Sequence, residues 1–256
     1  MSDGTVEART AQIADALGEV RDRLSRACVD AGRDPAEVQL LPVTKFFPAS
    51  DARILYALGC REFGESREQE ASAKVAELAD LLAGSDSSAG SATGHVRWHM
   101  IGSLQRNKAR AVARWAHAVH SVDSDRLVDA LSKGSVEALA DGARTEPLRV
   151  LLQVSLDADP KRGGVLPAEL PALARHTTTA AGVELAGLMA VPPLGADPDA
   201  AFATLAELHR TLLLEHPDAT MLSAGMTGDL ESAVRHGSTC VRVGTALLGS
   251  RPITSD

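Results

Sequence analysis

The feature that most limits the fold of this chain is an alternation. After Gln39, a short apolar run suited to a β-strand is followed by a segment of helical periodicity, and this pair recurs eight times before the chain ends. The strand-like runs are Leu40–Lys45, Arg61–Phe63, Val96–Ile101, Ala118–Val122, Leu148–Ser155, Val183–Met189, Thr220–Ser223 and Cys240–Val243. The helical segments between them are predicted over Asp51–Leu58, from a capping box formed by Ser66 and Gln69, over Leu104–Ala113, Asp125–Leu139, Pro167–Thr177 and Pro198–Leu214, and from Asp229 and Ala246. A strand that must cross over through a helix before the next strand pairs with it in parallel. Eight such units predict a closed (β/α)8 TIM barrel, with an open doubly wound sheet as the alternative.

Ahead of the first strand, Val6, Ile13, Leu17, Val20, Leu24 and Cys28 repeat at helical spacing, which predicts an additional N-terminal helix ending near Gly32 and Pro35. The run from Ala83 to Gly94 is too polar and too rich in glycine and serine to bury anything, so residues 84–94 are expected to be a mobile surface loop. No composition shift marks a domain boundary, and residues 1–256 are expected to form one domain. With aromatics at only 3% of residues, the core must be built from alanine, leucine and valine.

A formal net charge of −8 argues against a surface made to grip nucleic acid or an anionic membrane. Cys28, Cys60 and Cys240 are far apart and suggest a reducing compartment rather than a disulfide framework. The N-terminal residues are polar and no apolar run approaches the roughly 20 residues of a membrane span, so a cytoplasmic location is expected.

In a barrel of this kind the chemistry sits at the carboxyl ends of the strands, and a phosphate commonly binds the loops after strands seven and eight. Strand seven runs into Ser223-Ala224-Gly225-Met226-Thr227-Gly228, and strand eight into Arg242-Val243-Gly244-Thr245. Both segments offer hydroxyls and glycines at the start of a helix, where backbone amides can approach an anion. Strand one ends in Lys45, an amine able to condense with a carbonyl if it is desolvated, or else a cation with its head in water. An amine facing a phosphate cradle suits a phosphorylated aldehyde, pyridoxal 5′-phosphate. His95 and His99 lie four apart without a cysteine partner, and no metal site is expected. His99 is either a structural histidine or one that looks into the barrel mouth. Lys161-Arg162-Gly163-Gly164, after strand five, is either a solvated loop or a second anion contact.

The segments Val43-Thr44-Lys45, Phe63-Gly64-Glu65-Ser66, Trp98 to Lys108, Ser121-Val122-Asp123-Ser124, Gly187-Leu188-Met189, Ser223 to Leu230 and Val241 to Thr245 resemble the pyridoxal phosphate homeostasis proteins, also called the YggS or PROSC family. The resemblance covers nearly the whole chain after the first helix. It implies a fold type III barrel related to the N-terminal domain of alanine racemase, with Lys45 carrying the cofactor as a Schiff base. It further implies that Ser223, Gly244 and Thr245 bind the phosphate and that Arg242 faces the pyridine nitrogen. Ser66 and His99 are added as candidate cofactor contacts. The family usually has asparagine where Ser66 stands, and methionine and serine where Ala224 and Thr227 stand.

Two functions of different class fit these parts. One is a carrier or buffer that maintains pyridoxal phosphate homeostasis and passes the cofactor to dependent apoenzymes, as a monomer or weak dimer. The other is an amino-acid racemase, which needs a second acid/base group opposite Lys45. The single tyrosine, Tyr56, belongs to the helix after strand one, and an arginine at the ring nitrogen weakens the ring as an electron sink. The carrier is therefore the expected function.

Overall fold

The computed structural model describes residues 3–83, 96–159 and 162–250. The loop expected over 84–94 lies outside them, as does Lys161. Helix α1 (Asp3–Asp30) is followed by β1 (Gln39–Pro42), α2 (Ala49–Ala57), β2 (Glu62–Glu65), α3 (Glu68–Ala83), β3 (Arg97–Met100), α4 (Ala109–Trp115) and β4 (Ala116–Val122). The chain continues through α5 (Asp125–Ala140), β5 (Leu148–Gln153), α6 (Leu170–Thr179), β6 (Val183–Met189), α7 (Pro198–Glu215), β7 (Met221–Ser223), α8 (Leu230–Arg235), β8 (Cys240–Val243) and α9 (Thr245–Leu248). All seven strand ladders are parallel.

The sheet runs in the order β1-β8-β7-β6-β5-β4-β3-β2. Its two end strands meet at the bridge between Val43 and Gly64, where the Thr44 amide donates to the Gly64 carbonyl at 3.0 Å. The eight strands thus form a nearly closed barrel inside a ring of helices, and the open-sheet alternative is set aside.

Strand periodicity sorts side chains between two cores. On β8, Val241 and Val243 point outward into the layer shared with α1 and α2, whereas Cys240 belongs to the barrel interior and Arg242 follows it two residues on. Likewise Leu41, Ala118, Leu151, Ala186 and Met221 fill the interior, and Leu152, Leu188 and Leu222 pack outward under the helices. The close approach of β6 to β7 requires Gly187: a Cβ there would lie 1.7 Å from the Met221 carbonyl oxygen, and its φ of 151° suits glycine alone.

Three local expectations are corrected. The first strand ends at Pro42, so Lys45 stands in the following turn and not at the strand terminus. Helix α3 begins at Glu68, which leaves Ser66 one residue too early to cap it, because Ser66 is still held in the bend that leaves β2. The fourth helix starts later than Leu104: a single 3-10 turn over Arg106–Lys108 leads into α4. At α7 the capping expectation holds, with Asp197 accepting from the Asp199 amide ahead of Pro198.

Candidate functional site at the barrel mouth

The segments leaving β1, β7 and β8 converge at the carboxyl end of the barrel around a cavity of about 300 Å³. Lys45, Phe46, Ile101, Thr227, Arg242 and Gly244 are among its lining residues, with Met226, Gly228 and Thr245 beside them. Lys45 is half-buried, and among the described residues its ammonium has no carboxylate partner; the Phe46 ring lies 5.7 Å from its Nζ. The neighbouring lysines differ: Lys74 pairs with Glu65 and Lys108 with Glu68.

The turn that presents Lys45 is braced from below. Glu65 is fully buried and accepts from Thr44 Oγ1 at 2.6 Å and from Lys74 Nζ at 2.5 Å, while Lys74 also donates to the Thr44 carbonyl at 2.7 Å. This cluster clamps the residue before Lys45 across the β1/β2 seam. Two residues on, Phe46 adopts a φ of 70°, a left-handed conformation that costs an aromatic residue of order 1–3 kcal/mol. Sequence reading missed Glu65 and Lys74 as a pair because they lie on a strand and a helix of no obvious mutual register.

The extra helix has a part here as well. Arg23 of α1 donates to the Thr227 carbonyl at 2.7 Å and pairs with Glu231, so α1 holds the loop between β7 and α8. Arg9 pairs with Asp51 of α2 and donates to the Leu248 carbonyl of α9 at 3.1 Å. Arg9 thus joins the two helices, α2 and α9, that follow the β1 and β8 turns, and Arg23 fixes a loop that lines the cavity. A larger hollow of about 530 Å³ adjoins it between α1 and α2, but its charged groups, Arg9 and Asp51, are already bonded to each other.

Of the seven candidate site residues, Lys45, Arg242, Gly244 and Thr245 line the cavity. Ser223, His99 and Ser66 do not. Ser223 and His99 point into the barrel interior, since the alternation of β7 and β3 turns them there. Ser66 lies at the same end of the barrel, but its backbone packs on Gly102, where a Cβ would come within 2.2 Å of the Ser66 carbonyl oxygen. In place of Ser223, the turn Met226-Thr227-Gly228 contributes to the lining from β7. Gly244 is also small for a packing reason. A Cβ there would approach the Val43 carbonyl oxygen at 3.2 Å, so the glycine serves the packing of β8 on β1.

Arg242 is buried, donating from Nη1 to Ser223 Oγ at 2.7 Å and from Nη2 to the Ala190 carbonyl at 3.1 Å. Burial pulls its pKa below the usual guanidinium value. Beyond Ser223 the bonds continue: His120 Nδ1 is 2.8 Å from Ser223 Oγ, His120 Nε2 is 2.8 Å from His99 Nδ1, and His99 Nε2 is 2.8 Å from Glu62 Oε2. Burial pushes His120 well below the usual histidine range, and the charges of neighbouring groups add to the effect. Burial alone would raise Glu62, but hydrogen bonds from His99, Gln39 and Arg97 outweigh it and hold the carboxyl at about 2.

A nearly closed parallel barrel with an amine, an arginine and two glycine-bearing turns at its mouth defines the class: the model of the alanine racemase N-terminal domain matches residues 25–252. The particular family follows from closer relatives. The pyridoxal phosphate homeostasis protein of Mycobacterium tuberculosis (strain ATCC 25618 / H37Rv) is 54% identical over 250 residues, 96% of each chain, and that of Escherichia coli (strain K12) is 34% identical over 246 residues. The latter match covers 93% of this chain and 97% of the relative. This chain belongs to the pyridoxal phosphate homeostasis protein family. Among solved structures, PipY of Synechococcus elongatus PCC7942 with PLP bound superposes with a TM-score of 0.73 at 36% identity, covering 93% of this chain and all of that one (100%).

Proposed function

We propose that this chain binds pyridoxal phosphate reversibly at the barrel mouth and acts as a carrier or buffer of the cofactor in the cytoplasm, not as a racemase. The carrying observation is the convergence of Lys45, Arg242, Thr227, Gly244 and Thr245 around one cavity, together with a relative whose structure has PLP bound. The residues present fit the group. Lys45 is a half-buried amine without a carboxylate partner among the described residues, able to condense with the aldehyde as water leaves. Thr227, Gly228, Gly244 and Thr245 supply small or hydroxyl-bearing turns that would hold the phosphate, and Arg242 would offer N–H groups to the ring nitrogen. The bound cofactor would supply a reactive aldehyde and an electron-withdrawing ring.

The chain's own residues do not favour proton exchange at a substrate carbon. Lys45 and Arg242 are the ionisable residues among the described lining, and an arginine is not a general base at neutral pH. Tyr56 packs against the outer layer of the barrel with the Arg61 guanidinium 4.0 Å from its ring centroid, and it is not among the residues that line the cavity. The loaded protein is then a reservoir from which dependent apoenzymes draw the cofactor. No helix among the described residues is long and apolar enough to cross a membrane.

The test is borohydride reduction of the loaded protein followed by peptide mass spectrometry. A phosphopyridoxyl adduct on the Lys45 peptide is expected; an adduct on Lys108 or Lys161 instead would sink the assignment. Steady turnover of L-alanine to D-alanine, lost in Lys45→Ala, would replace the carrier with an enzyme.

A further inference from the structure

The barrel interior holds a line of polar side chains that the binding site alone does not call for. Glu62, His99, His120, Ser223 and Arg242 come from β2, β3, β4, β7 and β8, and each is bonded to the next at 2.7 or 2.8 Å. His99, His120, Ser223 and Arg242 are buried, whereas the Glu62 side chain is 23% exposed at the amino end of β2. The line therefore joins the floor of the barrel to its mouth. Buried polar groups without partners are costly, so five in sequence persist only if every proton is accommodated.

The two ends decide the direction. A carboxylate only accepts and a guanidinium only donates. Arg242 Nη1 donates to Ser223 Oγ. If the Ser223 hydroxyl donates to His120 Nδ1, His120 Nε2–H donates to His99 Nδ1 and His99 Nε2–H donates to Glu62, then each bond has one proton and both rings are neutral. The reverse arrangement needs an additional proton on His99. It also leaves the Ser223 hydroxyl with the sulfur of Cys240 as its acceptor, a weaker one than an imidazole nitrogen. Around the line stand Gln39, Arg97, His117, Arg149 and Cys240, and Arg97 and Gln39 already bond the Glu62 carboxylate.

We propose that Glu62, His99, His120 and Ser223 form one polarised hydrogen-bonded relay that positions Arg242, so that the arginine's orientation in the cavity wall is set from the opposite end of the barrel. The step that matters is at Ser223. A serine hydroxyl is a rotor, and committing its proton to His120 presents a lone pair to Arg242. With Nη1 and Nη2 held by Ser223 and Ala190, the remaining guanidinium protons are aimed by the protein before any ligand arrives. Glu62, His99, His120 and Ser223 are positioning residues in this scheme. The value of the relay to the cofactor rests on the function proposed above, whereas its existence does not.

The first arm of the test uses the full chain without cofactor, labelled with ¹⁵N at histidine. Ring nitrogen shifts are expected to show the bonded proton on Nε2, and none on Nδ1, of both His99 and His120. Ser223→Ala should move the shifts of His99 as well as of His120, and Glu62→Gln should move those of His120, two links away. A proton on Nδ1 of either ring, or changes that stop at the nearest neighbour, would overturn the relay.

The second arm titrates pyridoxal phosphate. Ser223→Ala should weaken binding about tenfold or more, the loss expected for a hydrogen bond to a charged group, with the Lys45 adduct still formed at saturation. Ser223→Thr, which keeps the hydroxyl, should recover most of the loss. Unchanged affinity in Ser223→Ala would refute the positioning role even if the ring shifts are as expected. Failure of the unmodified chain to take up the cofactor would count against the proposed function, whereas the ring shifts would still decide whether the relay exists.

Discussion

Replacing Lys74 with methionine should destabilise this protein more than almost any other single change away from the apolar core. Lys74 is 7% exposed and Glu65 fully buried, and the lysine is the only cation bonded to that carboxylate among the described residues. Methionine fills most of the volume but removes the charge and both donated bonds, to Glu65 Oε1 and to the Thr44 carbonyl. Glu65 Oε2 has no hydrogen-bond partner to begin with, so the carboxylate would keep only the Thr44 hydroxyl. Breaking a buried ion pair from one side costs about 3–5 kcal/mol. For a chain of this size 1 kcal/mol corresponds to about 2–4 °C in Tm, so a fall of roughly 6–20 °C is expected. Urea unfolding followed by circular dichroism measures the free energy, and the slope with denaturant should be unchanged. Glu65→Gln/Lys74→Met removes the stranded charge and keeps an acceptor for Thr44, so it should recover at least half of the loss. A Lys74→Met loss below about 1 kcal/mol would refute the reasoning, since it would mean that water reaches Glu65.

Stability should fall as pH drops from 7 towards 5. Burial holds His120 well below the usual histidine range and His117 at about 4, so between about 6.5 and 4 the unfolded chain takes up protons that the native chain refuses. Glu62, held at about 2, contributes stability that is fully present above about 4.5 and is lost only below that. Urea midpoints that stay flat from pH 7 to 5 would contradict this assignment. Gly187→Ala should unfold the protein or cost it about 3 kcal/mol or more, because its Cβ would meet the Met221 carbonyl oxygen at 1.7 Å. Gly18→Ala, in an uncrowded helical position of α1, should instead stabilise by about 0.5–1 kcal/mol, and thermal melts of the two variants compare them directly. Pyridoxal lacking its phosphate should bind at least about a hundredfold more weakly than the phosphorylated aldehyde, since two charge-assisted hydrogen bonds contribute about 1.5–3 kcal/mol each; equal affinities in a spectroscopic titration would reject the phosphate role of the Thr227 and Gly244 turns.

What the chain announces in one dimension is its periodicity. Strand alternation on β8 sends Val241 and Val243 outward and Cys240 and Arg242 inward, and helical spacing in α1 selects Ile13, Leu17, Val20, Leu24 and Cys28 for burial. Both follow from the geometry of a single element, so the barrel, its extra helix and the gathering of Lys45, Arg242, Gly244 and Thr245 at one mouth were all legible. What an inward-pointing residue meets once its strand has joined the barrel was not. His99 and Ser223 fall on inward positions, but whether an inward side chain meets a cavity or a neighbour depends on its height in the barrel, which is set by the register between strands far apart in sequence. Register pairs His99 with Ala118 and Ser223 with Cys240, and so sinks both residues beneath the mouth, where they reach His120 and Arg242 rather than the cavity. The Glu65–Lys74 clamp arises in the same way, from a helix laid back over the seam between the first and last strands of the sheet. Local sequence determined which residues could be buried or exposed along each element; only the closure of the barrel decided which buried polar groups would touch, because those contacts join strands that no single period relates.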